Sequence, residues 1–449
     1  MSIVLYAGTI AAVNPRLVTR ILLVVIIVAY ATIGVLYAVL TPIWQVPDEP
    51  AHYNYIRALG DDRDLPVIEP GDYDQAYLGR LTTGGFPPQL SIEPLEYEDH
   101  QPPLYYLLAT PIYRLFAGAV LPLRLLSVLF GVGILIVAAG AVREIFPTQP
   151  ALALMATGLI AFIPQHVAMT AGINNDALAE LFVGGTLWAL VVYVRGGSEQ
   201  PWPIGLLLGA ALLTKVTTYM IVGVALMAAV IRGWQERRTW KWAVGQWAWM
   251  ILPALLISAP WFIRNSLTYG WADPLGMMRH NVIVEEQPRS NEYVALYGWG
   301  GLLRQMAHTT FQSFWGQFGW MGVVLPAYIY RALALFSTLL VAGFLWWLFD
   351  RRRPRLNPAQ RASLTLLSLT FILTLLEFLG YNLTFVQHQG RYLFPALVPI
   401  ATAAALGLDR LAKVLPQRSH ALAEAVPFAG LATLDVYCLF RFIIPFLTR

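Results

Sequence analysis

Apolar runs of about 20 residues recur from one end of this chain to the other, and no other feature constrains its fold as strongly. Apolar residues make up 57% of the 449 positions and charged residues only 12%, which excludes a water-soluble globule. The sequence therefore predicts an all-α polytopic membrane protein with about 11 transmembrane helices.

The remaining composition excludes several kinds of site and partner. The single cysteine, Cys438, lies inside a late apolar run, so we expect no intramolecular disulfide and no thiol metal site. The net charge of +4 follows from basic loops between spans and does not indicate nucleic-acid binding. The first apolar run, residues 21–41, is too long for a signal peptide and is predicted to remain as a span. No repeat or separate soluble domain is visible, so residues 1–449 are predicted to form one integral membrane domain.

The largest polar region is the loop of residues 42–101. Arg16 and Arg20 precede the first span, which predicts a cytoplasmic N-terminus and places this loop outside. The loop carries twelve acidic residues against three basic ones, as expected of an exported segment. A short helix at about residues 51–59 is predicted to begin beside the acidic pair Asp48 and Glu49, which lies near its positive N-terminal end.

Clusters of basic residues mark three later cytoplasmic loops and so define the alternation of the C-terminal half. These clusters are Arg232, Arg237, Arg238 and Lys241; Arg351, Arg352, Arg353, Arg355 and Arg361; and Arg410, Lys413 and Arg418. The predicted spans lie near residues 243–263, 322–349, 362–386, 393–413 and 422–447. A second external loop, residues 264–321, is rich in Trp, Tyr and Phe, which is typical of chain in the membrane interface.

Two topologies are open for the middle of the chain. In the first, residues 103–118 lie on or dip into the membrane, residues 122–142 and 151–170 each span it, and residues 203–231 break into two short helices at Lys215. Asp176 then faces outward with Asp48. In the second, 103–118 spans and 203–231 is one tilted helix, so Asp176 faces inward. Loop charges do not choose between the two, and helix lengths count against both.

Polar residues at or near span ends are functional candidates, because a bilayer rarely tolerates them without a reason. They lie in segments 100–106, 174–176, 214–215, 261–265 and 388–395. Structural explanations compete with the functional ones. Lys and Arg at span ends can snorkel to the interface, and Asn174 and Asn175 can cap the helix that begins near Asp176. His52 and His100 can satisfy polar contacts within the loop.

The order of these motifs resembles the GT-C superfamily of polyprenyl-phosphate-dependent glycosyltransferases, in particular protein O-mannosyltransferases and lipid A aminoarabinose transferases. The matching residues are Asp48 and Glu49, the segment 100–103, Asp176, and Thr214 with Lys215. The resemblance implies a GT-C-like bundle whose first external loop carries short interfacial helices. It also implies a catalytic module at 21–275, followed by variable helices at 276–449. Segments 314–320 and 390–395 look like a bacterial subset with mostly unassigned acceptors. This likeness favours the first topology.

The resemblance implies an enzyme of the plasma (inner) membrane that moves a sugar from a polyprenyl-phosphate donor to a hydroxyl acceptor on the external face, with inversion. Asp48 is the expected general base, and Glu49 and Asp176 are the other expected catalytic acids. The expected substrate-binding residues are His52, His100, Asn175, Lys215, Arg264, Arg391 and Tyr392. Of these, Lys215, Arg264 and Arg391 are expected to bind the departing phosphate.

Two points stay open at the level of sequence. His100 stands where some members of the superfamily have Glu, and the expected ligands of a divalent cation are Asp48, His100 and Asp176. The chain also ends soon after its last span, so we expect an acceptor held elsewhere than on a soluble C-terminal domain. The alternative function is non-enzymatic: a lipid or glycan carrier, or a scaffold subunit of a larger membrane complex.

Overall fold

The structure is a computed structural model that describes residues 15–61, 64–284 and 286–448. Asp62 and Arg63 of the predicted first external loop lie outside the described residues, as does the side chain of Arg16. Within the described part, nine helices are long and apolar enough to cross a membrane, or ten if one bent pair forms a single span. The all-α membrane architecture is confirmed, whereas the predicted number of about 11 spans is not.

The helices follow one another with short connections. They are α1 (Pro15–Leu40), α2 (Glu49–Asp61), α3 (Gln75–Thr83), α4 (Leu104–Leu115), α5 (Val120–Ile145), α6 (Pro150–Ala161), α7 (Pro164–Thr170), α8 (Asp176–Val194), α9 (Trp202–Leu212), α10 (Met220–Gln235), α11 (Trp240–Tyr269), α12 (Met277–Ile283), α13 (Ser290–Trp315), α14 (Ala327–Phe349), α15 (Pro358–Asn382), α16 (Leu397–Ala412), α17 (His420–Cys438) and α18 (Ile444–Leu447). Single turns of 3-10 helix lie at Val216–Thr218 and Gln417–Ser419, a longer one at Gly390–Ala396, and a π-helical turn at Leu439–Ile443. Two short strands, β1 (Gln317–Phe318) and β2 (Val323–Val324), pair antiparallel.

Small residues let the membrane helices approach closely where they cross. A methyl group at Gly343 of α14 would overlap the carbonyl oxygen of Gly407 on α16, and one at Gly407 would overlap that of Leu340. The two helix backbones are therefore in direct contact, as is typical of membrane bundles, where packing rather than the hydrophobic effect joins helices. Large apolar side chains such as Leu256 point outward instead, toward the position of lipid.

The predicted first external loop, residues 42–101, carries the two short helices α2 and α3, and the short helix α4 follows it. Helix α2 begins at Glu49 rather than near residue 51. Helix α3 is capped by Asp74, whose carboxylate accepts a hydrogen bond of 2.7 Å from the backbone N–H of Tyr77. Helices α2 and α4 pack through the rings of Tyr55 and Tyr106, which stack with centroids 3.7 Å apart. This packing holds the region against the membrane bundle.

The middle of the chain has the helix break that the first topology requires. Helix α9 ends at Leu212 and α10 begins at Met220, with Lys215 between them. Helix α4 has only 12 residues and is too short to cross a bilayer of about 30 Å at 1.5 Å per residue. The span predicted at 151–170 is bent, because α6 and α7 meet at 66° before Pro164.

The second external region is more helical than its sequence indicates. Helix α11 extends to Tyr269, and α13 occupies 26 residues of the predicted loop. A kink at Gly298, with φ of 69°, divides α13 into two parts. Leu296 and Trp299 beside this kink are exposed, which suits a helix end in the membrane interface.

Candidate active site

Asp48 stands at the junction between the first span and α2, in a backbone conformation that few residues adopt. Its φ is 67°, and that of nearby Trp44 is 70°. Left-handed backbone is costly for residues other than glycine and persists only where surrounding contacts hold it. The carbonyl of Asp48 accepts a hydrogen bond from the backbone N–H of His52 in the first turn of α2. The carboxylate then points away from the helix toward Tyr97 and Arg391.

Glu49 holds this junction rather than facing the site. Its carboxylate is fully buried and binds the Arg124 guanidinium of α5 through two hydrogen bonds of 2.6 and 2.7 Å. The same two oxygens accept hydrogen bonds from the backbone N–H groups of Trp44 and Ile173. Both oxygens are thus occupied by partners within the protein, so Glu49, expected from the sequence to be a catalytic acid, lies in a structural contact. Its neighbour in sequence, Asp48, remains available.

Arg391 contacts both Asp48 and Asp176, the two acids whose relative position the sequence leaves open. Its guanidinium forms an ion pair with Asp48, and it lies 3.9 Å from the carboxylate of Asp176. Lys215 forms a second ion pair with Asp176 at 2.5 Å. We refer to Asp48, Asp176, Lys215 and Arg391 as the charge network. Because one arginine contacts both acids, Asp48 and Asp176 lie on the same face of the bundle, as in the first topology.

Local structure explains why these four side chains meet. Asp176 is the first residue of α8, and its backbone N–H donates to the Asn174 side chain at 3.0 Å. Lys215 occupies the break between α9 and α10, and Arg391 lies in the 3-10 segment Gly390–Ala396. All of them stand at helix ends, where side chains from different spans converge at one depth. Each is largely but not completely buried, so a ligand can reach the network.

Two carboxyl groups near the network have pKa values displaced in opposite directions. Burial raises the pKa of Asp48, but the charge and hydrogen bond of Arg391 outweigh burial and bring it below its usual value. Burial raises the pKa of Glu98, and the charge of Asp48 raises it further against the influence of His52. The Oε2 atom of Glu98 is buried and has no hydrogen-bond partner among the described residues. Asp48 is therefore ionised at neutral pH, and Glu98 holds its proton more tightly than an ordinary glutamate.

The two predicted histidines are buried in neighbouring positions. The Nδ1 atom of His52 forms a hydrogen bond of 2.8 Å with the Tyr106 hydroxyl. The Nδ1 atom of His100 lies 3.1 Å from the carbonyl oxygen of Tyr97. Burial lowers the pKa of both imidazoles, that of His100 to about 4, so they are neutral at pH 7. Each has a structural contact, and His52 lies within electrostatic reach of Asp48 and Asp176.

Asn175 and Tyr392 border the charge network. The Asn175 side-chain amide donates weakly to Gln101 and to the carbonyl of Thr214, beside Lys215. Its Oδ1 atom is buried and has no hydrogen-bond partner in the described part of the chain. The ring of Tyr392 lies 5.3 Å from the Arg391 guanidinium and so supports its charge.

Arg264 does not join the predicted phosphate clamp. Its guanidinium donates hydrogen bonds to the carbonyl oxygens of Leu65 and Pro66 and to the side chain of Asn265. These contacts anchor the first external region to the end of α11. Of the three residues expected to bind phosphate, Lys215 and Arg391 therefore belong to the charge network and Arg264 does not.

The predicted metal ligands are not brought together either. Among the described residues, the one group of three or more His, Cys, Asp or Glu with ligand atoms within 4.8 Å is Asp72, Glu96 and Asp99. His100 instead faces His280 of α12, with ring centroids 4.2 Å apart. Burial lowers the pKa of His280 to about 3, and neutral imidazoles are the form that binds metals.

A large apolar cavity opens beside the segment that carries Arg391. Its volume is about 840 Å³, and its walls come from α13, α14, α15 and α16. Leu393, two residues after Arg391, lines it together with Phe314, Phe344 and Phe371. The segment Gly390–Ala396 therefore contributes to both the charge network and the cavity.

Sequence reasoning missed Arg124, Tyr97, Glu98 and His280 as contributors to this region. The position of Arg124 inside an apolar run is itself a signal of burial. Tyr97 and Glu98 lie a few residues before the candidate segment 100–103, and this proximity in sequence indicates that they can contribute to the same site. No local signal marks His280, which reaches His100 through tertiary packing.

The helical bundle and its site define a multi-helix membrane protein with a GT-C, glycosyltransferase-like fold. The fold is similar to that of ArnT from Cupriavidus metallidurans bound to undecaprenyl phosphate, which matches with a TM-score of 0.53 and 16% identity over 97% of this chain and 74% of that one. Residues 100–263 match the sequence model of the dolichyl-phosphate-mannose-protein mannosyltransferase family. The resemblance to the GT-C superfamily is thus confirmed.

Other comparisons give weaker likenesses. The Archaeoglobus fulgidus oligosaccharyltransferase in complex with Zn and sulfate matches with a TM-score of 0.49 and 16% identity, over 92% of this chain. This chain spans 52% of that protein's length. No curated protein sequence matches the chain significantly.

Proposed function

We propose that the protein transfers a sugar from a polyprenyl-phosphate donor to a hydroxyl acceptor. The observation that carries this proposal is the charge network, in which Lys215 and Arg391 stand beside two carboxylates. Leu393, two residues after Arg391, lines an apolar cavity. A donor of this class has an anionic head and a long apolar tail. The ArnT structure that shares the fold was solved with undecaprenyl phosphate, a ligand of the same chemistry.

Lys215 and Arg391 are the proposed phosphate clamp. A sugar phosphate leaves as a weak base, so the departing group needs positive charge rather than a proton. Arg391 binds phosphate oxygens through a planar fork of N–H donors, and Lys215 contributes a point charge. Both side chains are already oriented by ion pairs with acids, which limits the entropy lost when the donor binds.

Asp48 is the proposed general base, as expected from the sequence. In the structure its carboxylate is paired with Arg391, which makes it a weak base. A donor phosphate that binds Arg391 competes with Asp48 for the guanidinium. Donor binding would therefore raise the basicity of Asp48 when the acceptor hydroxyl must lose its proton. Attack from the side opposite the phosphate inverts the anomeric centre.

Asp176 then has a supporting role. It fixes the ammonium of Lys215 at 2.5 Å and lies within 3.9 Å of Arg391. Removing its charge would leave both cations less well oriented. We assign Asp176 to positioning of the clamp and to contact with sugar hydroxyls. Asn175 and Tyr392, which border the charge network, are assigned to the same part of the substrate site.

The apolar cavity is the proposed site of the first isoprene units of the donor. Its walls are almost entirely apolar side chains, which suits a hydrocarbon chain. The shared segment Gly390–Ala396 allows one lipid to place its tail in the cavity and its phosphate at Arg391. The site thus joins the proposed catalytic module at 21–275 to the helices at 276–449.

We propose that the N-terminus is cytoplasmic and that the site faces the outside of the plasma membrane. The acidic first external region and the basic loops between later spans support this orientation. The divalent cation expected from the sequence stays a prediction, since Asp48, His100 and Asp176 do not form a three-ligand group among the described residues.

The test is donor binding followed by transfer, with the purified full chain in liposomes. We expect undecaprenyl phosphate to bind at least tenfold more tightly than undecaprenol, and Arg391→Met and Lys215→Met each to remove most of this preference. Membranes supplied with radiolabelled polyprenyl-phosphate sugars should then show release of the sugar to an acceptor fraction. Equal affinity for the two lipids would refute the donor site, and binding without release would favour a carrier.

A further inference from the structure

Three carboxylates of the first external region converge outside the charge network. Asp72 precedes α3, while Glu96 and Asp99 lie in the segment that leads into α4. One oxygen from each carboxylate lies within 4.8 Å of the others. We refer to this group as the loop cluster. Neither the proposed transfer reaction nor the predicted metal ligands account for it.

The backbone brings the loop cluster together. The N–H of Glu96 donates to the carbonyl of Asp72 at 3.1 Å, and the N–H of Asp99 donates to the carbonyl of Glu96 at 3.0 Å. The N–H of Glu69 donates to Asp72 Oδ2 at 2.6 Å, which orients that carboxylate. The two chain segments are thus joined by hydrogen bonds, and the three side chains meet because of them.

Within the described chain, no close ion pair neutralises the negative charge of the loop cluster, although Arg279 and Arg57 act at longer range on Asp72 and Glu96. Among the described residues, no Lys, Arg or His forms an ion pair with Asp72, Glu96 or Asp99 within 4.0 Å. Arg264 influences Asp99 electrostatically, but its N–H groups are used by Asn265 and by the backbone at 65 and 66.

Asp99 supplies a second, independent observation. It is only 4% exposed, and its Oδ1 atom has no hydrogen-bond partner in the part of the chain that the structure describes. Buried carboxylate oxygens normally accept hydrogen bonds. A buried oxygen without one costs several kcal/mol, about as much as the loss of a hydrogen bond to a charged group. Two further carboxylates lie close to Asp99, so a cation is the partner that would satisfy the whole group.

We infer that the loop cluster binds a hard divalent cation, with Ca²⁺ the best match. Oxygens on opposite sides of a Ca²⁺ ion stand about 4.6–5.2 Å apart, since each bond is about 2.3–2.6 Å long. The limit of 4.8 Å between the ligand oxygens is compatible with one coordination sphere. A donor set of carboxylates without Cys or His selects Ca²⁺, Mg²⁺ or Mn²⁺ over Zn²⁺ or Cu²⁺.

The cation would fix the part of the loop that borders the charge network. Tyr97 lies between two of its ligands in sequence and donates a hydrogen bond of 3.0 Å to Asp48. His100 follows Asp99 directly. An ion bound by Asp72, Glu96 and Asp99 therefore stabilises the positions of Tyr97 and His100 without contacting substrate. Partly exposed sites of this kind bind Ca²⁺ with a Kd of about 10⁻⁴–10⁻³ M.

The experiment is Tb³⁺ luminescence with the full chain purified in detergent, excited through tyrosine. The rings of Tyr73 and Tyr97 contact each other within the loop that carries the ligands and can sensitise the ion. We expect saturable Tb³⁺ binding that Ca²⁺ displaces. Asp99→Asn and Glu96→Gln should each weaken it by roughly tenfold or more. Asp64→Asn removes one exposed acid from the same loop and should leave it unchanged.

Thermal unfolding gives a second readout that does not depend on activity. We expect Ca²⁺ to raise the Tm of the wild type and of Asp64→Asn relative to EGTA, and to leave that of Asp99→Asn unchanged. If Asp99→Asn does not fold, the more exposed Glu96→Gln carries the comparison. Equal Tb³⁺ affinity in all variants, or a Tm of the wild type that is insensitive to Ca²⁺, would overturn the inference and leave protons as the neutralising species.

Discussion

The buried ion pair between Glu49 and Arg124 makes the sharpest prediction about how the site is built. Glu49→Gln keeps the shape of the side chain but removes its charge, which leaves the Arg124 guanidinium buried without a counter-ion. Glu49 is 0% exposed and the Arg124 side chain 2%, so solvent cannot compensate. Arg124 also donates to the carbonyls of Ala38, Thr41 and Pro42, and cannot leave its position without breaking those hydrogen bonds.

The expected cost follows from this geometry. Breaking one partner of a fully buried ion pair destabilises a protein by about 3–5 kcal/mol. Glu93→Gln is the matched control, because it removes the same charge from an ion pair with Arg57 whose acid is 68% exposed. Exposed pairs contribute about 0–1 kcal/mol. Glu49→Gln should therefore lower the free energy of unfolding by several times more than Glu93→Gln does.

The assay is unfolding of the purified chain in detergent, followed by tryptophan fluorescence and by donor binding. We expect a Tm lowered by several degrees in Glu49→Gln and almost unchanged in Glu93→Gln. The double variant Glu49→Gln with Arg124→Met should recover part of the loss, since no unpaired charge remains. The reasoning is refuted if Glu49→Gln and Glu93→Gln are equally stable, or if the double variant is less stable than either single one.

Three further predictions concern the charge network and the orientation of the chain in the membrane. Asp48→Asn should reduce transfer by about 10²–10⁴-fold, and normal turnover in this variant would exclude Asp48 as the base. A base is lost as pH falls through its pKa, which for Asp48 lies below its usual value, so kcat/KM should be flat from about pH 5 to 8. An acid limb above pH 5 would instead implicate Glu98, whose pKa is raised. In a Cys438→Ala background, a membrane-impermeant thiol reagent added to intact cells should label a cysteine at exposed Glu93 and not one at exposed Glu199, and the reverse result would invert the proposed topology.

The charge network shows how far local sequence can predict a membrane site. The sequence marks all four members of the charge network as candidates, because a charged residue near a bilayer is costly and is rarely present without a function. They are Asp48, Asp176, Lys215 and Arg391. Their contact with one another was not predictable from charge or periodicity. The two topologies differ in the side on which Asp176 lies, and the contacts of Arg391 with both acids agree with the first, as does the helix break at Lys215.

Neighbouring residues of the same type took different roles for tertiary reasons. Asp48 and Glu49 are adjacent acids, yet Glu49 is turned inward by an arginine 75 positions later in the chain. Arg264 looked equivalent to Arg391, but backbone carbonyls 199 and 198 positions earlier occupy its N–H groups. A side chain's partner at such separations depends on how the helices pack.

The sequence by itself determined that this chain is a helical membrane protein, because apolar runs of that length are stable only in lipid. It also determined which residues are costly enough to need a partner. The identity of those partners depends on the tertiary structure, which therefore also determines which acids face a ligand and which stabilise the fold. Ion pairs and hydrogen bonds act over about 3–4 Å, and that distance between remote residues exists only once the helices have packed.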